Sequence, residues 1–337
     1  MRPFKYSKTN NVNTATQMLT VNPTAKFLAG GTNLLDLMKE DVERPNELVD
    51  VTQLNLVQIK PITNGLNKGG VSIGALGNNT DLANDAIIRQ NFPLLSQAIL
   101  AGASAQIRNM ATNGGNLNQR TRCQYFYDVT MPCNKRAPGS GCGAFEGINR
   151  MHAIFGWSEN CVAVHPSDMC IALVALDAVI KVQGPKGEVR SIPFVEYHRL
   201  PGDTPEKDNN LHQGELITAI EIPKNNFAGK SYYLKVRDRA SYAFALISVA
   251  AALETEGTKI KQVRVAMGGV SHKPWRAMEA EKFLVGKIAD EANFKLAAEA
   301  EMQMAKPLEH NKYKIELGKR AIVRALMQAM NGQKLNS

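Results

Sequence analysis

The sequence predicts an α+β fold assembled from more than one packed unit, on three observations. With 337 residues the chain exceeds what a single hydrophobic core usually serves, so two or three units are expected. Short apolar runs of strand length alternate with stretches of helical period, without one repeating pattern. Two strand-like runs flank Gly184-Pro185-Lys186-Gly187, a hairpin signature that places antiparallel pairing in the middle of the chain.

Taken in order, residues 14–19 read as a helical turn, 25–28 as a strand, 34–38 as a helix and 47–51 as a second strand, with Gly30-Gly31 between strand and helix. An Asn- and Gly-rich break over 63–70 ends this first lobe. Beyond it lie a strand at 71–75, a helix at 94–105, a Gly-rich loop, a helix at 168–178, and the strands 179–183 and 188–192 of the hairpin. Between residues 119 and 162 the hydrophobic period vanishes. A stretch that long inside a compact unit needs something other than a packed face to hold it. After a linker at 225–229, a second hairpin joins 247–253 to 260–267 through Glu254-Thr255-Glu256-Gly257. Helices follow at 277–284, 293–304 and 313–330, the last presenting Ile315, Ile322, Leu326 and Met330 on one core-facing stripe. The expected units are therefore 1–60, 61–226 with its insert, and 227–337.

Bulk composition removes several classes. Hydrophobic residues at 44% and charged residues at 21% exclude disordered and fibrous chains. Lys plus Arg number 40 against 31 Asp plus Glu, yet the basic residues are scattered and no aromatic-interleaved stripe accompanies them. A solvated surface that attracts an anionic cofactor and an acidic partner is expected, not nucleic acid. No run approaches the roughly 20 apolar residues of a membrane span, and residues 1–11 lack the apolar centre of a signal peptide. No membrane insertion and no export address of its own are expected.

Five motifs carry chemistry. Phe27-Leu28-Ala29-Gly30-Gly31-Thr32-Asn33-Leu34-Leu35 delivers a strand through a glycine pair into a helix start, where free backbone N–H groups point outward and a phosphate can come close. A plain turn would look the same, and the Gly-x-Gly-x-x-Gly dinucleotide fingerprint is missing. Ala111-Thr112-Asn113-Gly114-Gly115-Asn116-Leu117 repeats the offer with hydroxyl and amide groups, and two such loops suit a diphosphate gripped from both sides. His165-Pro166-Ser167-Asp168 opens an apolar helix, with Ser167 or Asp168 as its cap. On a strand, Tyr233, Lys235 and Arg237 share one face, as solvated charge or as cations for a ligand.

The fifth motif is the cysteines. Four of five fall in the 39 residues from Cys123 to Cys161, at gaps of nine, eight and eighteen, which favours a metal site over a disulfide framework. The spacing matches neither zinc fingers nor bacterial ferredoxins, so iron–sulfur and zinc both stay open. Arg120, Arg122, Lys135 and Arg136 would balance an anionic centre, and Cys170 reads as a buried free thiol.

With these residues in place, nearly the whole sequence resembles the FAD-binding subunits of the xanthine dehydrogenase and molybdenum hydroxylase family. Residues 27–35 match that family's first FAD loop, 112–116 its second and 165–178 its Ser-Asp helix. Gly268-Gly269 and Arg276-Ala277-Met278-Glu279-Ala280 match its C-terminal domain. Arg120 to Asp128, Pro132 to Arg136 and Gly139 to Cys142 are similar to the insert of the bacterial periplasmic aldehyde oxidoreductase subgroup. A comparable insert occurs in benzoyl-CoA-type reductases, but Lys235 to Tyr242 fits the aldehyde enzymes better.

The resemblance implies a two-lobed FAD-binding domain of the PCMH/VAO type followed by a smaller α+β domain. It implies FAD held by Lys26, Phe27, Leu28, Ala29, Gly30, Gly31, Thr32, Asn33 and Leu34 at the diphosphate, with Gly102, Thr112, Gly115, Asn116 and Asp168 at ribityl, phosphate or adenine groups. Ile217 and Lys235 would lie by the isoalloxazine, Lys235 as the catalytic cation stabilising negative charge on the reduced ring. A [4Fe–4S] cluster is implied on Cys123, Cys133, Cys142 and Cys161, with Cys170 competing for the fourth place. The implied partners are a molybdenum-cofactor large subunit and a [2Fe–2S] small subunit in a heterotrimer, reaching the periplasm by co-export with a signal-bearing partner. A zinc-stapled, non-redox nucleotide-binding scaffold is the rival.

Overall fold

The computed structural model describes residues 1–332. The first lobe is a three-stranded parallel sheet with Glu47–Asp50 between Lys5–Lys8 and Lys26–Leu28. All four residues of the central strand are buried, as a covered parallel strand requires. The helix Val12–Val21, capped by the Asn11 side chain accepting from Thr14 N at 3.0 Å, lays Ala15 and Leu19 against Val49 and Val51. On the other side of the Gly30-Gly31 turn, Leu34–Lys39 buries Leu37 and Met38.

The second lobe is a five-stranded antiparallel sheet in the order Ile59–Pro61, Val71–Gly74, Leu216–Ile222, Val179–Gln183, Val189–Pro193. Its core is filled by Pro93–Ala101 and by Asp168–Ala175, a helix with every residue buried. The third unit is a four-stranded antiparallel sheet ordered Trp275–Arg276, Lys259–Gly268, Ile247–Glu256, Ser231–Val236, with Met278–Leu284, Glu291–Met302 and Tyr313–Met330 packed on it. Its long strand explains how the units join. Val249, Ala251 and Leu253 face those three helices, whereas Ala250, Ala252 and neighbouring Tyr233 belong to the core of the second lobe. Both faces of this sheet are therefore buried, and the Tyr233 strand lies at the seam between lobes.

Several expected elements change shape. The single helix at 94–105 is two, Pro93–Ala101 and Ala105–Met110, because Ala103 takes φ +49 after Gly102 and Ser104 caps the second. The Gly-rich loop at 111–117 winds into a short helix, Asn113–Leu117, capped by Thr112. The hairpin turn is tighter than Glu254-Thr255-Glu256-Gly257: the first three residues stay in the strand and Gly257, at φ +59, makes the turn. The insert contains only two four-residue helices, Gln124–Tyr127 and Gly143–Glu146. Ile322 and Leu326 are fully buried on the last helix, and so is Lys314, a charged position that periodicity assigns to solvent.

Candidate flavin cleft and cysteine gap

A cleft of about 1040 Å³ opens where the three units meet. Lys26, Phe27, Ala29, Gly30, Gly31, Thr32, Asn33 and Leu34 line it from the first lobe, and Gly102, Thr112, Gly115, Asn116, Asp168, Ile217 and Lys235 from the rest. Leu28, paired with Asp50 in the strand ladder, does not line it.

The first glycine turn leaves its backbone donors free. Among the described residues, no hydrogen bond satisfies the backbone N–H of Gly30, Gly31, Thr32, Asn33 or Leu34. Gly31 sits at φ +71, and a Cβ on Gly30 would stand 1.9 Å from the Met110 carbonyl oxygen. Only glycine lets the two loops touch there. Asn33 occupies the cap position without capping, and its Oδ1 accepts from Arg120 N at 2.9 Å, tying the turn to the start of the insert.

The second loop is held by amides. Asn79 Nδ2 donates to Asn113 Oδ1 at 3.0 Å, Asn116 Nδ2 donates to Asn79 Oδ1 at 2.7 Å, and Ser167 Oγ donates to Asn116 Oδ1 at 2.6 Å. Ser167 is also the cap of its helix, accepting from Cys170 N at 3.1 Å. That leaves Asp168 free for another role. Its Oδ1 accepts from Tyr233 Oη at 2.7 Å and its Oδ2 from Lys235 Nζ at 2.7 Å, while Lys235 and Arg237 both donate to the Ala101 carbonyl. Tyr233, Lys235 and Arg237 thus do share a face. The Lys235–Asp168 pair is buried, and Gly102 stands beside it with room for no more than a close contact to Asp168.

The insert brings Cys123, Cys133, Cys142 and Cys161 to one small gap walled by Thr121, Tyr125, Phe126 and Pro132. All are free thiols, and Cys170 lies elsewhere, in the core against His165 and His198. Burial pushes Cys123 and Cys161 up to about 12, so nothing in the apolar walls alone makes these thiolates. Cys133 and Cys142 are clamped face to face: Asn134 N donates to Gly141 O at 2.7 Å and Gly143 N to Pro132 O at 2.9 Å.

The neighbouring cations do not stand as expected. Arg120 pairs with Glu43 and Asp208, Lys135 with Asp208, Arg122 with Asp36, and Arg136 spends its donors on the carbonyls of Tyr125, Phe126 and Met131. Although burial opposes it, Lys135 and Arg120 hold the Asp208 carboxyl well below the usual range. Arg120, Arg122 and Lys135 pin the insert to the body of the protein and Arg136 braces it from within, while Lys135 alone of the four also lines the cysteine gap, where its charge opposes the rise of the Cys161 thiol.

Sequence reasoning missed the other half of the wall. Arg150, Phe244 and the segment 206–216 line the cleft with nothing in their local pattern to mark them, and Arg239 and Tyr242, inside the Lys235–Tyr242 stretch but not named as site residues, line it too. It also missed a second cavity of about 290 Å³ whose lining includes Cys123, His152, Arg150, Ser167, Asp168 and Phe244.

Residues 2–225 match the family described as the FAD binding domain in molybdopterin dehydrogenase, and residues 232–329 match the CO dehydrogenase flavoprotein C-terminal domain. The chain therefore belongs to the FAD-binding medium subunits of the molybdenum hydroxylase and aldehyde oxidoreductase family. It is 48% identical over 329 residues to the aldehyde oxidoreductase FAD-binding subunit PaoB of Escherichia coli, covering 98% of this chain and 99% of that one. With the glyceraldehyde dehydrogenase medium chain of Sulfolobus acidocaldarius it shares 30% over 308 residues, covering 91% and 90% of the two chains. The reconstituted CO dehydrogenase of Oligotropha carboxidovorans has the same fold, with a TM-score of 0.76 at 23% identity over 99% of this chain and 100% of that one. These relatives are oxidoreductase subunits, which disfavours the zinc-stapled scaffold.

Proposed function

We propose that this chain is the FAD- and iron–sulfur-bearing electron-transfer subunit of a heteromeric, molybdenum-dependent aldehyde oxidoreductase. A molybdenum-cofactor large subunit oxidises the aldehyde, a [2Fe–2S] small subunit passes the electrons on, and this chain delivers them to an external acceptor. The observation that carries the reading is the continuity of the two sites. Cys123 lines the cysteine gap and also the 290 Å³ cavity, whose Ser167, Asp168, Arg150 and Phe244 walls belong to the flavin cleft as well.

The N–H groups of residues 30–34, and from the other flank the short helix Asn113–Leu117 with its Thr112 cap, would hold the FAD diphosphate between them. Lys235, fixed by Asp168 and the Ala101 carbonyl, keeps a cation on the wall of the cleft, which Ile217 also lines. Bound flavin supplies one- and two-electron chemistry in one ring, which lets single electrons leave in pairs. Four thiolates from Cys123, Cys133, Cys142 and Cys161 are the soft donor set of a [4Fe–4S] cluster. Periplasmic location by co-export with a signal-bearing partner belongs to the same proposal, on the resemblance of the insert set out in the sequence analysis.

Anaerobic addition of aldehyde to the intact complex tests the reading. The flavin's visible absorbance should bleach and return with an electron acceptor. A complex that turns over aldehyde while its flavin stays oxidised contradicts the electron-transfer role.

A further inference from the structure

Cys123 differs from its three companions. Cys133, Cys142 and Cys161 line the gap, whereas Cys123 lines both the gap and the cavity leading to the flavin cleft. Against its sulfur lies the imidazole of His152, with Nε2 3.1 Å from Sγ. His152 is 5% exposed, and among the described residues its Nδ1 has no hydrogen-bond partner.

The backbone under this ring is anchored with unusual thoroughness. His152 N donates to Asn149 O at 3.0 Å, and the His152 carbonyl accepts from Asn311 Nδ2 at 3.2 Å and from buried Lys314 Nζ at 2.9 Å. Lys314 bonds Gly269 O as well, at 2.7 Å, so the last helix of the third unit fixes where this imidazole stands. A neutral imidazole has a single N–H. With Cys123 ligating the proposed centre as a thiolate on one side, and no acceptor among the described residues on the other, that hydrogen would belong on Nε2, where it would make a charge-assisted bond.

We propose that His152 is a positioning residue that donates its Nε2–H to the Cys123 thiolate and raises the reduction potential of the four-cysteine centre. The proposal rests on the cluster reading given above. A hydrogen bond to a ligand sulfur draws off negative charge, and the reduced centre, carrying one more electron, gains more from it than the oxidised one. Because the donor acts on the ligand nearest the flavin cleft, it sets how readily an electron crosses between the two sites.

The test is a redox titration of the anaerobically purified complex followed by electron paramagnetic resonance. The insert's signal is identified as the one that Cys161→Ser abolishes. His152→Phe should make reduction of that centre about tenfold less favourable, about 59 mV lower for a one-electron couple. His152→Gln, which keeps an N–H donor, should recover most of the shift, with flavin content unchanged in both. If the Phe chain loads no iron, His152→Asn, too short to reach the sulfur, makes the same comparison and should show the same loss. Equal potentials in wild type and the donor-less variants overturn the proposal, and so does an equal shift in Gln and Phe. If Cys161→Ser abolishes no signal, the cluster reading itself fails and takes this proposal with it.

Discussion

The flavin cleft and the cysteine insert lie side by side, and they are held in place by different parts of the chain. In the cleft, the wall is backbone held between regular elements: Lys26–Leu28 and Leu34–Lys39 position the N–H groups of the turn between them, and Gly30 lets Met110 and Ala111 press in. In the insert, 44 residues between 119 and 162 contain two helices of four residues each, and side chains do the anchoring. Arg120, Lys135 and Asp208 tie it to the second lobe, Arg122 and Asp36 to the first. The contrast teaches that backbone geometry shapes the cleft wall, whereas long-range ion pairs fix the insert.

The largest expected effect breaks the insert alone. Cys161→Ser should remove all iron bound by the insert while flavin content, measured by absorbance, holds at wild-type level. Loss of both cofactors together would mean that the two sites do not stand independently. Next comes the seam between the lobes. Lys235→Met leaves the buried Asp168 carboxylate without its cation, a change expected to cost about 3–5 kcal/mol, visible as a fall in Tm. Adding Asp168→Asn should restore much of it, and a double variant as unstable as the single one would show that the pair is not the cause.

A smaller effect is expected in the cleft. Gly30→Ala puts a methyl group against the Met110 carbonyl, an overpacking worth about 1–3 kcal/mol. Flavin affinity should fall roughly tenfold or more by that measure, with iron unchanged. The smallest concerns pH. Asp208 has its carboxyl depressed in the folded chain, so its stabilisation is complete above the unfolded value near 4 and fades as pH falls towards the folded one. One such group changes stability by at most about 1.4 kcal/mol per pH unit. Acid unfolding followed by circular dichroism should be shallower in Asp208→Asn than in wild type below about pH 4.

The cleft was largely legible in sequence because its makers are local. A glycine pair between strand and helix leaves N–H groups free, whereas in the Thr112-Asn113-Gly114-Gly115-Asn116 run Asn113, Gly114, Gly115 and Asn116 each spend their N–H inside the protein; the alternation that put Tyr233 and Lys235 on one face is a property of any strand. The use of that face was not legible. Asp168 precedes Lys235 by 67 residues, and only the packing of Asp168–Ala175 against the sheet shows that the two form one ion pair. The cations around Cys123 misled for the same reason: Glu43 and Asp208, which neutralise Arg120, lie 77 and 88 residues away. Lys314 and His152, too, gain meaning only from contact at long range.

Mass spectrometry of the natively isolated chain under non-denaturing conditions tests the central claim most directly. The account predicts a mass increment of one FAD together with one cluster of four irons and four sulfides, the second absent from Cys161→Ser. A chain that carries flavin with zinc in place of that cluster, or neither cofactor, contradicts it.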